Sequence, residues 1–347
     1  MKVLLTTERF LPDFGGGGEY IVFQTAKHLH ELGLDVRVLT RGDPGRTEYE
    51  GISTQRLNIS RYRMNLAVRA IAAAADGVDL IQTFNYHACL PSLVAGRWIG
   101  KPVVCIVLGL FQEAWTDRQG RIFGQLYAGW EKMLLRARFA RTIFLSDYSR
   151  KLAIQLGTKP ELALVNNPGV DPALFQTSGE KDGSVLFVGK LEERKGISDV
   201  LAVAEKLPAV RFRIAGWGPE EAALRSAAPS NVEFLGFLKG PMLYQAFAQA
   251  TVFLFPSRAE TFGLVIAEAM AARCVVVSTV PLEYEGVRVK AGDVATMACA
   301  IDQTLANSSR SQIQGERNRE SARRYTWEHY SEFLVKTYHN VLKEAQS

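Results

Sequence analysis

Four cysteines are spread over 347 residues, and nothing in their spacing pairs them: Cys89, Cys105, Cys274 and Cys299 each stand alone, with no Cys-x-x-Cys and no histidine at zinc spacing. That argues against a disulfide framework and a structural zinc site, and it fits reduced core thiols of a cytosolic protein. Long apolar runs are missing as well. Before Glu8 and Arg9 the N-terminus offers only Val3 to Leu5, too short for a signal peptide, and no stretch approaches the roughly 18 apolar residues of a membrane span. The expectation is a cytoplasmic protein that does not cross a membrane. Neither Gly-x-Gly-x-x-Gly nor Gly-Lys-Ser/Thr occurs, so neither NAD binding nor P-loop chemistry is indicated.

What is present is an α/β pattern, run through twice. Apolar runs at Lys2 to Thr6, Asp35 to Leu39, Leu80 to Thr83, Val103 to Val107 and Thr142 to Leu145 read as buried parallel strands, with helical stretches such as Glu19 to Leu32 between them. After Asn167-Pro168-Gly169 the pattern restarts, at Ser184 to Val188, Arg211 to Ala215, Val232 to Leu235, Val252 to Phe255 and Val275 to Ser278. Two Rossmann-like domains are expected, over residues 1–170 and 171–325, followed by a terminal helix within 326–347. The formal charge of +5 is uneven: the first 170 residues carry 21 Lys/Arg against 15 Asp/Glu. An excess of this size favours an anionic substrate or membrane surface and is too weak to argue for nucleic acid.

The strongest chemical signal is Pro256-Ser257-Arg258-Ala259-Glu260-Thr261-Phe262-Gly263-Leu264 running on to Glu268-Ala269-Met270. It reads as strand, tight loop, helix, so the free amides of the first helical turn face the crevice where an open α/β sheet binds ligands. Glu260 and Glu268 suit the hydroxyls of a sugar or ribose. Read alone, they are first of all a capping acid and a solvated helix residue. Lys190 and Lys195, five residues apart after the first strand of the second domain, can neutralise a diphosphate, or form a solvated charge run. Gly216 and Leu238 follow the next two strands on the same rim. In the first domain, Gly15 to Gly18 lets a phosphate approach the backbone, or makes a flexible turn. Between Gln112 and Arg141, apolar residues at 122, 123, 126, 127, 130, 133 and 134 trace one helical face among Arg118, Arg121, Lys132, Arg136 and Arg138. Core packing is the first reading of that face, and membrane contact the sharper one.

In order and spacing, the Pro12-x-x-Gly loop, Ser146-x-Tyr148-Ser149, Pro168-Gly169-Val170-Asp171, Gly189-Lys190 to Lys195-Gly196, Gly216-x-Gly218-Pro219 and the Glu260 to Met270 segment resemble glycosyltransferase family 4 over nearly the whole chain. The resemblance implies a GT-B fold, two Rossmann-like domains facing a cleft with the last helix returning to the first domain. It implies a retaining, metal-independent transfer of a sugar from a nucleoside diphosphate sugar, in glycoconjugate or polysaccharide synthesis, with no cofactor. The acceptor would be a glycan, a lipid-linked molecule or a small molecule, and the basic first domain would make any peripheral membrane contact. Lys190 and Lys195 would hold the diphosphate, helped by Phe262, Gly263 and Leu264. Glu268 would hold the ribose, the Leu238 backbone would meet the base, and Glu260 would contact the donor sugar. Gly16 and Gly17 would approach the phosphate from the first domain. Lys190 stands where many members have Arg, and Leu108 near where many have His. His87 lies one loop earlier as a substitute on the acceptor side. The departure at Leu108 and a shortened Val280 to Gly286 loop leave a second reading, a nucleotide-sugar-binding subunit that has lost turnover.

Overall fold

The computed structural model describes residues 1–347 except 14, 113, 176–179 and 347, and the side chains of 117–119 are likewise undescribed. The chain forms two units, Met1–Pro168 joined by Trp327–Ser347, and Gly169–Thr326.

In the first unit the strands are β1 (Lys2–Thr6), β2 (Asp35–Arg41), β3 (Glu48–Tyr49), β4 (Ile52–Leu57), β5 (Leu80–Phe84), β6 (Val103–Val107), β7 (Arg141–Phe144) and β8 (Ala163–Val165). They form one sheet in the order β3-β4-β2-β1-β5-β6-β7-β8, parallel except where β3 pairs β4. Its helices are α1 (Gly17–Glu31), α2 (Val68–Ala74), α3 (Cys89–Ile99), α4 (Ala114–Gln119), α5 (Arg121–Arg136) and α6 (Asp147–Leu156). Every residue of β5 and β6 is buried, as a parallel strand covered on both faces requires. β4 instead alternates buried and exposed residues and lies near the sheet edge, which is why Ile-Ser-Thr-Gln-Arg-Leu does not read as an apolar run.

The second unit holds β9 (Val185–Val188), β10 (Phe212–Ala215), β11 (Val232–Gly236), β12 (Val252–Phe255), β13 (Val275–Ser278) and β14 (Gly286–Arg288), all parallel, in the order β11-β10-β9-β12-β13-β14. Helices α7 (Ile197–Lys206), α8 (Glu221–Ala227), α9 (Pro241–Gln249), α10 (Leu264–Ala271), α11 (Val294–Ala306) and α12 (Ser308–Ala322) cover it. Cys89, Cys105 and Cys274 are buried, but Cys299 is exposed on α11, so the expectation of four core thiols holds for three.

The last helix, α13 (Trp327–Gln346), belongs to the first unit. Its buried residues Trp327, Tyr330, Ser331, Leu334, Thr337, Tyr338 and Val341 repeat at three and four, one face of a helix. Polar contacts fix its register. The Tyr330 carbonyl accepts from Asn166 Nδ2 at 2.9 Å, Tyr330 Oη lies 3.3 Å from Thr25 Oγ1 on α1, and the Tyr338 hydroxyl donates to Gln82 on β5. Leu334 is fully buried on this face. Leu334→Ala is therefore expected to cost about 2–5 kcal/mol in the urea-unfolding transition of the first unit; a loss under about 0.5 kcal/mol would contradict the packing described.

Candidate active site

Strand order reverses between β9 and β12 in the second unit, and the loops leaving these two strands meet at the carboxyl edge of the sheet. The β9 loop carries Lys190 and Lys195; the β12 loop carries Glu260. Lys195 Nζ lies 2.5 Å from Glu260 Oε2, with both side chains mostly shielded from solvent. Lys195 also sits 5.3 Å over the Phe255 ring. Lys190 is more open, 3.4 Å from Glu192 and 5.8 Å above the Trp217 ring. Both lysines are ion-paired, but they differ in exposure: Lys195 is largely shielded in its pair, while Lys190 is open to solvent.

Arg194 holds the two loops in register. Its guanidinium donates to Glu192 at 2.6 Å and to the Ala259 carbonyl at 3.1 Å, while its own carbonyl accepts the Arg258 N–H at 2.9 Å. In the sequence, Arg194 is hidden inside a charge run; its position between two acids and a lysine gives no signal of a bridging role. Gly216 after β10 has φ 151, and a Cβ there would fall 1.8 Å from the Gly189 carbonyl oxygen. Glycine is thus required for the β10 loop to lie against the β9 loop, so Gly216 shapes the rim through its backbone. Leu238 lies just past β11 on the next strand end.

Gly263, at φ 75, turns the chain into α10, and Leu264 begins that helix. The adjoining Phe262 is buried and packs edge-on against Tyr325 at 5.3 Å. Glu268, one turn into α10, makes no hydrogen bond or ion pair with the described residues. Burial pushes its carboxyl up to about 7 from an ordinary 4.5. Its negative charge is felt by Tyr244, whose hydroxyl is raised first by burial and then by Glu268 and Asp171. The side chain is half-buried, so it keeps a path to solvent and is open to a ligand that donates hydrogen bonds.

The first unit has its own reversal between β1 and β5. Past β1, Glu8 accepts the His87 backbone N–H at 2.9 Å. The His87 ring is buried and stacks on Trp130 at 5.3 Å, with Arg61 3.4 Å from Nε2 and the Asn65 amide 3.0 Å from Nδ1. Burial lowers its pKa first, opposed by Glu8 and reinforced by Arg61 and Arg9, so the imidazole is neutral at pH 7. Gly16 is the N-cap of α1 and Gly17 its first residue. A Cβ on Gly16 would meet the Glu19 carboxylate at 2.6 Å, whereas Gly17 has open space. Glu19, not a bare backbone, is thus the group beside Gly16. Leu108 faces Gly18, 3.6 Å from where its Cβ would be.

Two features escape the sequence reading. The Ser146-x-Tyr148-Ser149 motif is a capping box: Ser146 Oγ accepts from Ser149 N and Ser149 Oγ from Ser146 N, both at 3.2 Å. More consequential is Glu131 on α5, fully buried. It accepts from the backbone N–H groups of Phe111 and Gln112, from Gln112 Nε2 and from Trp115 Nε1, and lies 2.6 Å from the Tyr86 hydroxyl. This carboxylate, with Asn85 bonded to Leu108 N and Gly109 O, shapes the loop after β6. The α5 face expected in the core is split: Leu134 is buried and Tyr127 and Trp130 are half-buried, as expected, but the rest is turned outward. Gly124, Glu131, Leu134 and Leu135 are buried, whereas Ile122, Phe123, Leu126 and Met133 are 74%, 64%, 65% and 53% exposed. An acid within the inward stripe was the available signal. The Arg118 side chain lies outside the described residues.

Comparison with known proteins places this geometry. Residues 15–174 match the glycosyltransferase family 4 model and residues 182–307 the glycosyl transferases group 1 model. The D-inositol 3-phosphate glycosyltransferase of Mycobacterium bovis is 25% identical over 96% of this chain and 80% of its own length. Sulfoquinovosyl transferase SQD2 of Arabidopsis thaliana is 31% identical over 41% of this chain, a match spanning 30% of that relative. Among solved structures, sucrose-phosphate synthase from Thermosynechococcus elongatus aligns with a TM-score of 0.85 at 20% identity, covering 99% of both chains. Anabaena HepE in complex with UDP-glucose aligns at 0.80 and 20% identity, over 98% of this chain and 100% of its own. With both halves of the chain matched and both sheets in place, the protein belongs to glycosyltransferase family 4, the group 1 glycosyl transferases, and is a glycosyltransferase of GT-B fold.

Proposed function

We propose that the chain transfers a sugar from a nucleoside diphosphate sugar with retention, needing neither metal nor cofactor, in the synthesis of a glycoconjugate or polysaccharide. The observation that carries this is Glu268, a half-buried carboxyl with no hydrogen-bond donor among the described residues, on the helix that opens beside the Lys195–Glu260 pair. Vicinal ribose hydroxyls supply the missing donors. Lys190 and Lys195, with the first amides of α10, offset the charge that builds on the departing diphosphate, the part a metal plays elsewhere. Glu260, already neutralised by Lys195, accepts from donor-sugar hydroxyls while the same ammonium reaches the phosphate. HepE, of the same fold, is known with UDP-glucose, which supports a nucleotide sugar as the partner here.

The test is release of nucleoside diphosphate from UDP-, GDP- and ADP-sugars, with and without acceptors and EDTA. Release that EDTA leaves unchanged is expected. Glu260→Gln should cut turnover more than about tenfold with little loss of donor affinity, while Glu268→Ala should mainly raise the donor Kd. Tight donor binding with no release from any sugar would instead identify a binding subunit.

Glu268 also ties this reading to stability. The unfolded chain releases this proton near pH 4.5 and the folded protein near 7, so the folded state binds more protons in between and stability falls as pH rises across that window. Glu268→Gln is expected to stabilise the second unit at pH 8 by about 1–3 kcal/mol and to change nothing at pH 4. An equal effect in urea unfolding at both pH values would contradict it.

The outward face of α5 supports membrane contact by the first unit. Ile122, Phe123, Leu126 and Met133 are exposed beside the exposed Arg121, Lys132 and Arg136, a pairing that suits an anionic bilayer. No helix among the described residues is long and apolar enough to cross one. Co-sedimentation with phosphatidylserine vesicles is expected, weakened about tenfold by the double change Phe123→Ser, Leu126→Ser. Unaltered sedimentation of that variant would remove α5 from the contact.

A further inference from the structure

The loop after β9 is clamped on both sides through glycines. Gly216 and Gly218 flank Trp217, and a Cβ on them would fall 1.8 Å from the Gly189 carbonyl oxygen and 2.1 Å from that of Leu191. On the other side, a Cβ on Gly196 would fall 2.2 Å from the Pro256 carbonyl oxygen of the β12 loop. Strand pairing also runs on past β10. The Gly189 N–H donates to the Ala215 carbonyl at 3.0 Å, and the Leu191 N–H to the Trp217 carbonyl at 2.9 Å. Val188 and Ala215 are partners in the β9/β10 register, so Lys190 and Trp217, each two residues further on, lie side by side.

Each lysine of the loop meets one ring and one carboxylate. Lys195 Nζ has the Phe255 ring at 5.3 Å and Glu260 at 2.5 Å; Lys190 Nζ has the Trp217 ring at 5.8 Å and Glu192 at 3.4 Å. The two cradles are unequal. The Lys195 side chain is 15% exposed and that of Lys190 46%, and Glu192 is shared with Arg194 at 2.6 Å. Water and salt weaken an ion pair as open as that of Lys190, and an ammonium on a four-carbon stem has no planar fork to set its direction. An indole face holds an ammonium differently: it attracts the cation through the ring quadrupole and leaves its charge available to an anion. Trp217 can do this because the glycines beside it fix its backbone against the residues that flank Lys190.

We propose that Trp217 is a positioning residue of the donor site, its indole holding the Lys190 ammonium at the carboxyl edge of β9 where the departing diphosphate gathers charge. The role of Lys190 in this rests on the proposed transferase reaction. The diphosphate gains charge as the bond to the sugar breaks, so an ammonium that has lost its direction costs turnover more than donor binding.

The experiment is a double-mutant cycle on the full chain, reading nucleoside diphosphate release from UDP-glucose, GDP-glucose and ADP-glucose. Trp217→Leu should lower kcat about fivefold and move the donor KM by less than about twofold, and Trp217→Phe should restore most of the loss. In a Lys190→Met background, Trp217→Leu should cost nothing further. Equal losses in the two backgrounds, an unchanged kcat, or a raised KM at steady kcat would each overturn the positioning role. Release from none of the three sugars by the wild-type chain would sink the transferase reading instead. The same cycle is then read in the Kd of UDP, GDP and ADP, where non-additive losses keep Trp217 acting through Lys190 and additive losses overturn it. Binding of none of these nucleotides would overturn both.

Discussion

A strand parallel to its neighbour cannot be followed by a tight hairpin; the chain must cross the sheet and return, so the turns that leave the strands all emerge at one edge. In this protein that constraint assembles the chemistry. Lys195 and Glu260 are 65 residues apart, yet β9 and β12 pair directly, and their outgoing loops bring ammonium and carboxylate to 2.5 Å. Arg194 then locks the loops through two backbone carbonyls, its own and that of Ala259. Such a pair, partly shielded, adds little net stability because each charge has lost water. What it supplies is orientation: Glu260 is fixed, and Lys195 is held where a second anion can share it.

Two desolvated carboxylates show how burial can mean opposite things. Glu131 is surrounded by N–H groups from Phe111, Gln112 and Trp115, so its charge is satisfied by the protein and its work is to fix a loop. Glu268 is half-buried without such donors, and its pKa rises to about 7. The first stabilises the fold whether or not a ligand is present. The second destabilises the free protein above its pKa, and its half-buried side chain is open to a partner that donates, which is why the proposed reading gives it the ribose.

The central strands were legible because parallel strands covered on both faces are unbroken apolar runs: β1 and β6 lie where the pattern puts them, and β5 extends one residue further. What escaped was at the margins. β4 alternates, and β8 and β14 are three residues each, too short to show a period. In the candidate site, Lys190 and Lys195 were visible as charged residues beside Gly189 and Gly196, because close backbone approach leaves glycine as its trace, and Glu260 and Glu268 through the strand, loop and helix pattern that carries them. Arg194 and Glu131 were not. Their roles come from contacts with backbone atoms far along the chain, which composition and spacing do not record.

The helix α5 shows which force prevailed where local pattern and tertiary contact disagreed. Burying Ile122, Phe123, Leu126 and Met133 would be worth about 1.5–3 kcal/mol each, and a pattern reading turns that face inward. Turning the helix that way would carry Glu131 out of its shell of donors, leaving several buried N–H groups unpaired at about 1–3 kcal/mol each and releasing the loop after β6. The two costs are comparable, so hydrogen bonding can hold the orientation only if the apolar face is not left permanently in water. The exposed stripe and its flanking Arg121, Lys132 and Arg136 therefore belong to one arrangement with Glu131: the polar side is satisfied within the unit, and the apolar side is the one the proposed membrane contact would cover.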